Sequence, residues 1–174
     1  FDGLEDAYER GRLMGTYAED CARKYQFSRQ AQDDYAIQSL LRAQSAINGG
    51  EFKAEIVPVT VRDGRSETVV DTDEQPGKAK IDKIPQLKPA FAKDGTVTAA
   101  NSSSISDGAA AVILTSAQHA KTLGVKPLAR ILGHSTHAQE PGWFTTAPVS
   151  AIGKLMKRLG WTVADVDLFE VNEA

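Results

Sequence analysis

Few groups in this chain have the reach to do chemistry. There is one cysteine, Cys21, and there are three histidines, His119, His134 and His137. Cys21 stands between Asp20 and Ala22 and has no second cysteine with which to form a disulfide or a Cys-based zinc cluster. His134 and His137 are three residues apart, with no carboxylate or third histidine at ligand spacing, so no metal site is expected. Lys78, Lys80, Lys83, Lys88 and Lys93 meet only Asp82 between residues 78 and 93. Such a stretch is either a solvated basic loop or one that meets an anionic ligand, such as a nucleotide phosphate. Asn101 to Ser106 is a run of small, mostly hydroxyl-bearing residues. Asn172 follows an apolar stretch, where by itself it reads as a turn residue at a strand end.

The elements that would position these groups follow from pattern. Thr16-Tyr17-Ala18-Glu19 has the spacing of a capping box, which predicts a helix over residues 17–25. Ser28 is placed to cap a longer helix that Tyr35, Ile37, Leu40, Leu41 and Ile47 punctuate and Asn48-Gly49-Gly50 ends. Residues 56–61 read as a strand interrupted by Pro58. Asp63-Gly64-Arg65 is a turn and residues 68–70 are the return strand. Residues 71–90, with Pro76, Gly77, Pro85 and Pro89, show no period and predict a long irregular loop. The second half alternates. Strands are expected at 96–98, 109–114, 128–132 and 166–171. Helices are expected from Ser116 to Leu123 and around Pro148, the latter burying Val149, Ile152, Leu155, Met156 and Leu159. This is an α/β layer pattern. Its apolar strands need neighbours and covering helices, so the chain reads as a piece of something larger.

Composition bounds the function classes. The 174 residues are 41% hydrophobic and 25% charged, enough for a packed core. A net charge of −3 argues against nucleic acid as a partner. No apolar run approaches the roughly 18–20 residues that cross a bilayer, so no membrane association is expected. Phe1-Asp2-Gly3 carries neither an initiator Met nor the basic and apolar regions of a signal peptide. A single cysteine and no signal peptide lead to a cytoplasmic, reducing setting as the expectation.

Three segments, in order, carry a family resemblance. The first is Thr16 to Glu19 followed by Ser28-Arg29-Gln30-Ala31-Gln32-Asp33-Asp34-Tyr35-Ala36 and Phe52 to Val59. The second is Gly95-Thr96-Val97-Thr98-Ala99-Ala100-Asn101-Ser102-Ser103-Ser104-Ile105-Ser106-Asp107-Gly108-Ala109-Ala110-Ala111. It is similar to the signature G-T-[VI]-T-A-x-N-[AS]-S-x-x-x-D-G-A-A-A of the thiolases. The third, Asp167-Leu168-Phe169-Glu170-Val171-Asn172-Glu173-Ala174, resembles the thiolase segment D-L-x-E-x-N-E-A-F. The resemblance covers essentially the whole chain. It implies a partial thiolase-like layered α/β fold with a mostly helical loop domain. On that plan residues 1–92 are most of the loop domain, 93–118 end the N-terminal half and 119–174 open the C-terminal half.

What the resemblance implies about chemistry is specific. Thiolases join or split acyl units on coenzyme A (fatty acid metabolism among their settings) through an acyl-cysteine, with CoA as substrate and no further cofactor. Cys21 lacks the glycine-rich turn around the family's nucleophile and is expected to be a structural, buried cysteine. The nucleophile is expected to lie outside this chain, which alone would be inactive. Asn172 matches the asparagine that holds a water in an oxyanion hole, where an amide serves without bringing a charge. Ser103 matches the serine that hydrogen-bonds the pantetheine arm, with Ala99 leaving room beside it. Phe91 matches an aromatic near the pantetheine, and Leu4, Leu13 and Met14 would line the acyl end. Lys78 and Lys83 are candidates for the nucleotide phosphates, where the family's arginine is missing. Leu13 replaces a histidine found in many acetoacetyl-type members. Ala100 and Ser104 replace common glycines, a variation closer to the β-oxidation members. The family also implies a homodimer or homotetramer for the full-length parent. The reading from a different class is a non-enzymatic CoA- or lipid-binding module derived from the same fold.

Overall fold

A computed structural model describes residues 3–173; Phe1, Asp2 and Ala174, the last residue of the third motif, lie outside the described residues. The chain divides into two units, one ending at Ser103 and the other beginning at Ser104.

The first unit is built on two helices. Helix α1 (Met14–Tyr25) begins where Leu13 is extended, at φ −79° and ψ 147°, and ends at Gln26 in the left-handed region. The expected capping box does not form. Thr16 lies inside the first turn and its Oγ1 donates to the Leu13 carbonyl at 2.7 Å, while Glu19 reaches residues 96 and 97 instead of the helix start. A carboxylate that finds several distant donors gains more than one that returns to a single local N–H. Helix α2 (Arg29–Gly49) has the expected ends: Ser28 Oγ accepts the Ala31 N–H at 3.1 Å, and Gly50 takes φ 71°. Its apolar stripe is thinner than the spacing suggests. Tyr35 and Leu41 are exposed, Ile37, Leu40 and Ile47 are half-buried, and the buried residue is Asp33.

Strands β1 (Val59–Asp63) and β2 (Ser66–Val70) form an antiparallel hairpin in the register Val59 opposite Val70 to Asp63 opposite Ser66. Gly64, at φ 58°, makes the turn. The first strand starts after Pro58, not at Ile56, because proline brings no N–H to a ladder. Residues 71–90 are not the irregular loop expected. They hold a short helix α3 (Glu74–Lys78) and a 3₁₀ turn (Ile81–Gln86). Both are tied to α2: Gln44 Nε2 donates to the Pro76 carbonyl at 2.7 Å, and Arg29 Nη2 donates to the carbonyls of Ile84 and Leu87 at 3.1 and 2.9 Å. Side chain-to-backbone bonds substitute here for the missing hydrophobic period.

In the second unit, α4 (Ala117–Thr122) is capped by Ser116 and stopped by Gly124, as the sequence predicts. A 3₁₀ turn (Pro141–Thr146) leads into α5 (Ala147–Leu159), with Pro148 in its first turn and Gly160 at φ 69° after it. The segment 133–137 runs along α5. Ser135 Oγ donates to the Ala151 carbonyl at 2.6 Å, and Gly133 leaves so little room that a Cβ there would sit 3.1 Å from Leu155. The apolar face of α5 is not buried as expected: Ile152, Leu155, Met156 and Leu159 are half-buried and Val149 is exposed. The expected strands at 96–98, 109–114, 128–132 and 166–171 carry no ladder among the described residues. A strand exists only with a ladder to a second strand; at 96–98 one bond, from the Ala90 N–H to the Val97 carbonyl, makes no ladder, and in the segments 109–114 and 128–132 Ile113 and Leu128 are 96% and 106% exposed.

Candidate substrate-binding segment

In the first unit the site residues are gathered by backbone geometry. An isolated antiparallel bridge pairs Glu5 with Leu13, and the Met14 N–H donates to the Leu4 carbonyl at 2.8 Å, so Leu4, Leu13 and Met14 meet at the start of α1. Gly15 follows, and Phe91 lies on it: a Cβ at residue 15 would fall 2.2 Å from the Phe91 ring. A glycine is required for that approach. Phe91 is carried by a loop closed by the Ala90 N–H on the Val97 carbonyl at 2.9 Å. The expected apolar group of Leu4, Leu13, Met14 and Phe91 is thus one neighbourhood, with Leu4 exposed and the other three half-buried.

The loop before α1 is held by Asp6. Its carboxylate accepts the N–H groups of Tyr8 and Glu9 at 2.7 and 2.6 Å and the Tyr17 hydroxyl at 2.8 Å. Those bonds, the Glu9 N–H foremost, hold its carboxyl below the usual carboxylate range. Burial, and then the bond to Asp6, push the Tyr17 hydroxyl up. Arg12 lies 3.9 Å over the Tyr17 ring and pairs with Glu9 and Asp20 at 2.9 and 2.7 Å.

Ser103 is exposed at the end of a turn in which the Thr98, Asn101 and Ser102 side chains are all hydrogen-bonded. Thr98 is fully buried. Its N–H donates to Asn101 Oδ1 at 2.6 Å, its Oγ1 accepts the Ala100 N–H at 3.2 Å, and its carbonyl accepts Ser102 Oγ at 2.7 Å. Asn101 Nδ2 donates to the Thr96 carbonyl at 3.0 Å and to Asp33 Oδ1 at 3.3 Å. Asp33 also accepts Arg29 Nε at 2.7 Å. Ala99 stands exposed on the turn, so nothing larger than a methyl group guards the backbone there.

Sequence reasoning quoted Glu19, Arg29, Asp33 and Asn101 as motif letters but missed them as the framework of this segment. The signal was present in Glu19 and Asp33, two carboxylates on helices at positions no apolar pattern explains. Their burial, at 5% and 2% exposure, is what identifies them.

The remaining candidates have settings of their own. Lys78 Nζ lies 3.1 Å from Glu74 on the same helix, and Lys83 Nζ lies 3.8 Å from Asp82; all four are exposed. Asn172 is exposed in the second unit. Cys21 is half-buried in α1, not buried as expected. His137 is engaged by Lys154 Nζ at 2.9 Å on Nδ1 and by Gln139 Oε1 at 3.1 Å on Nε2. Among the described residues no group of three or more His, Cys, Asp or Glu could hold a metal ion, and no helix is long and apolar enough to cross a membrane.

Comparison with known proteins bears on the same segments. A family model described as the thiolase N-terminal domain matches residues 1–118, and one described as the thiolase C-terminal domain matches residues 125–174. A probable acetyl-CoA acetyltransferase of Dictyostelium discoideum is 52% identical over 175 residues, covering 99% of this chain and 42% of that protein. Acetyl-CoA acetyltransferase 2 of Arabidopsis thaliana is 49% identical over 176 residues, covering 99% and 43%. In three dimensions the chain is similar to the crystal structure of the Bacillus anthracis acetyl-CoA acetyltransferase. The TM-score is 0.94 and the identity 40%, over 99% of this chain and 44% of that one. The chain therefore spans less than half the length of these relatives.

Proposed function

The chain belongs to the thiolase family, with a partial thiolase α/β fold, and we propose that the full-length protein transfers acetyl or acyl groups between CoA thioesters. The reaction is the synthesis or thiolysis of acetoacetyl-CoA or a longer 3-ketoacyl-CoA through an acyl-cysteine. Its nucleophile lies outside this chain, because the one cysteine present, Cys21, is set in the middle of α1 without a turn to present it. Residues 1–92 serve as most of the loop domain, 93–118 as the end of the N-terminal half and 119–174 as the start of the C-terminal half.

Each candidate residue then has a task. The Ser103 hydroxyl bonds the pantetheine arm, which passes close to the backbone at Ala99. Leu4, Leu13, Met14 and Phe91 form an apolar wall along the arm and the acyl group. Lys78 and Lys83 supply positive charge toward the nucleotide phosphates, as point charges without the planar fork of an arginine. The Asn172 amide orients a water against the thioester oxygen, where negative charge develops in the transition state. CoA enters as substrate, and the setting is a cytoplasmic homodimer or homotetramer.

The observation that carries this reading is the ordered turn at 96–102, with exposed Ser103 at its end and the apolar group at the start of α1 in the same unit. Steady-state thiolysis by the full-length protein tests it. Ser103→Ala is expected to raise KM for CoA about fivefold to tenfold, the worth of one hydrogen bond. An unchanged KM, or no thiolysis by the wild type with any 3-ketoacyl-CoA, would contradict the assignment.

A further inference from the structure

Glu19 is 5% exposed and 77 and 78 residues distant in sequence from its partners Thr96 and Val97. Both of its oxygens accept the Thr96 N–H at 2.9 Å, Oε1 also accepts the Val97 N–H at 2.9 Å, and Oε2 accepts Thr96 Oγ1 at 3.3 Å. Three donors converge on one carboxylate. Gly95 makes the approach possible, since a Cβ there would sit 2.1 Å from Glu19 Oε1. Thr96, which Glu19 grips, also enters the next turn: Asn101 holds the Thr96 carbonyl and accepts the N–H of Thr98, the residue after Val97. Ser102 is in turn held by the Thr98 carbonyl, and Ser103 comes next.

We propose that Glu19 is a positioning residue for the reaction. It anchors α1 to Thr96 and Val97, and through the Thr98–Ser102 turn sets where the Ser103 hydroxyl meets CoA. A glutamine weakens the grip: its one oxygen can still accept at the Oε1 position, but the Oε2 acceptor is lost and an NH₂ faces the Thr96 N–H. The inference rests on the role of Ser103 given above. A residue that acts through Ser103 must lose its effect once the hydroxyl is gone, whereas a residue that merely stabilises the fold need not.

The experiment is a double-mutant cycle on the full-length protein. CoA is varied at saturating 3-ketoacyl-CoA for Glu19→Gln, Gly95→Ala, Ser103→Ala and the two pairings with Ser103→Ala. Glu19→Gln and Gly95→Ala are each expected to raise KM for CoA about tenfold with kcat within about threefold of wild type. Neither is expected to raise KM further in the Ser103→Ala background. An unchanged KM, a fall in kcat alone, or additive effects would overturn the inference. A silent Ser103→Ala would identify failure of the underlying reading and remove the proposal with it. An altered Ser103→Ala beside a silent Glu19→Gln would identify failure of the proposal alone. Where one of Glu19→Gln and Gly95→Ala does not fold, the other carries the cycle; if neither folds, Glu19 serves stability and the proposal fails.

Discussion

At the scale of single residues, the groups proposed to touch substrate and the groups that order the 96–102 turn differ in setting. Ser103, Ala99 and Asn172 are exposed, while Glu19, Asp33 and Thr98 are buried and bonded. Sequence reading proposed the first kind from motif letters and missed the second, because a buried carboxylate looks like any other charge until its donors are known. Asn172→Ala in the full-length protein should lower kcat by about a hundredfold or more with little change in KM, as loss of an oxyanion donor does. A KM effect without a kcat effect would move Asn172 out of that role. Asp6 makes a pH prediction. Its carboxyl is held below the ordinary aspartate value of 3.8, so its contribution is present above that value and is lost as pH falls through the lower folded one. Asp6→Asn should therefore lower the thermal midpoint at neutral pH and flatten its decline on acidification below about pH 4. Parallel midpoint curves for the two proteins would contradict the assignment.

At the scale of elements, caps and turns were legible and partnered strands were not. Ser28, Gly50, Gly64, Ser116 and Gly160 stand where their local chemistry places them, because a cap or a tight turn is decided within about four residues. Thr16 and Glu19 also satisfy a local rule, yet Glu19 is taken by residues 96 and 97, whose position no local window reveals. The stretch 71–90 looked irregular because its order comes from Gln44 and Arg29 reaching its carbonyls, not from a period of its own. The strand segments failed for the complementary reason: apolar residues state a preference, and a ladder needs a second strand. Ser28→Ala should cost about 1 kcal/mol of stability, read by denaturant unfolding of the full-length protein, since its Oγ satisfies the free Ala31 N–H of a 21-residue helix. A change below about 0.3 kcal/mol would show that α2 is held by its tertiary bonds alone.

At the scale of the whole molecule, the fold class was readable because three motifs occur in one order, each tied to its own segment. The second unit carries exposed apolar side chains at Val112, Ile113, Leu114, Leu128 and Leu168, the residues whose continuous runs suggested buried strands. The proposed chemistry calls on a nucleophile expected outside these 174 residues. Incubating the full-length protein with acetoacetyl-CoA, quenching, and mapping acetylated cysteines by peptide mass spectrometry tests that claim most directly. The account predicts an acetyl thioester on a cysteine outside these 174 residues, formed with turnover and removed by free CoA. Acetylation at Cys21, or turnover with no acyl-cysteine at all, would contradict it.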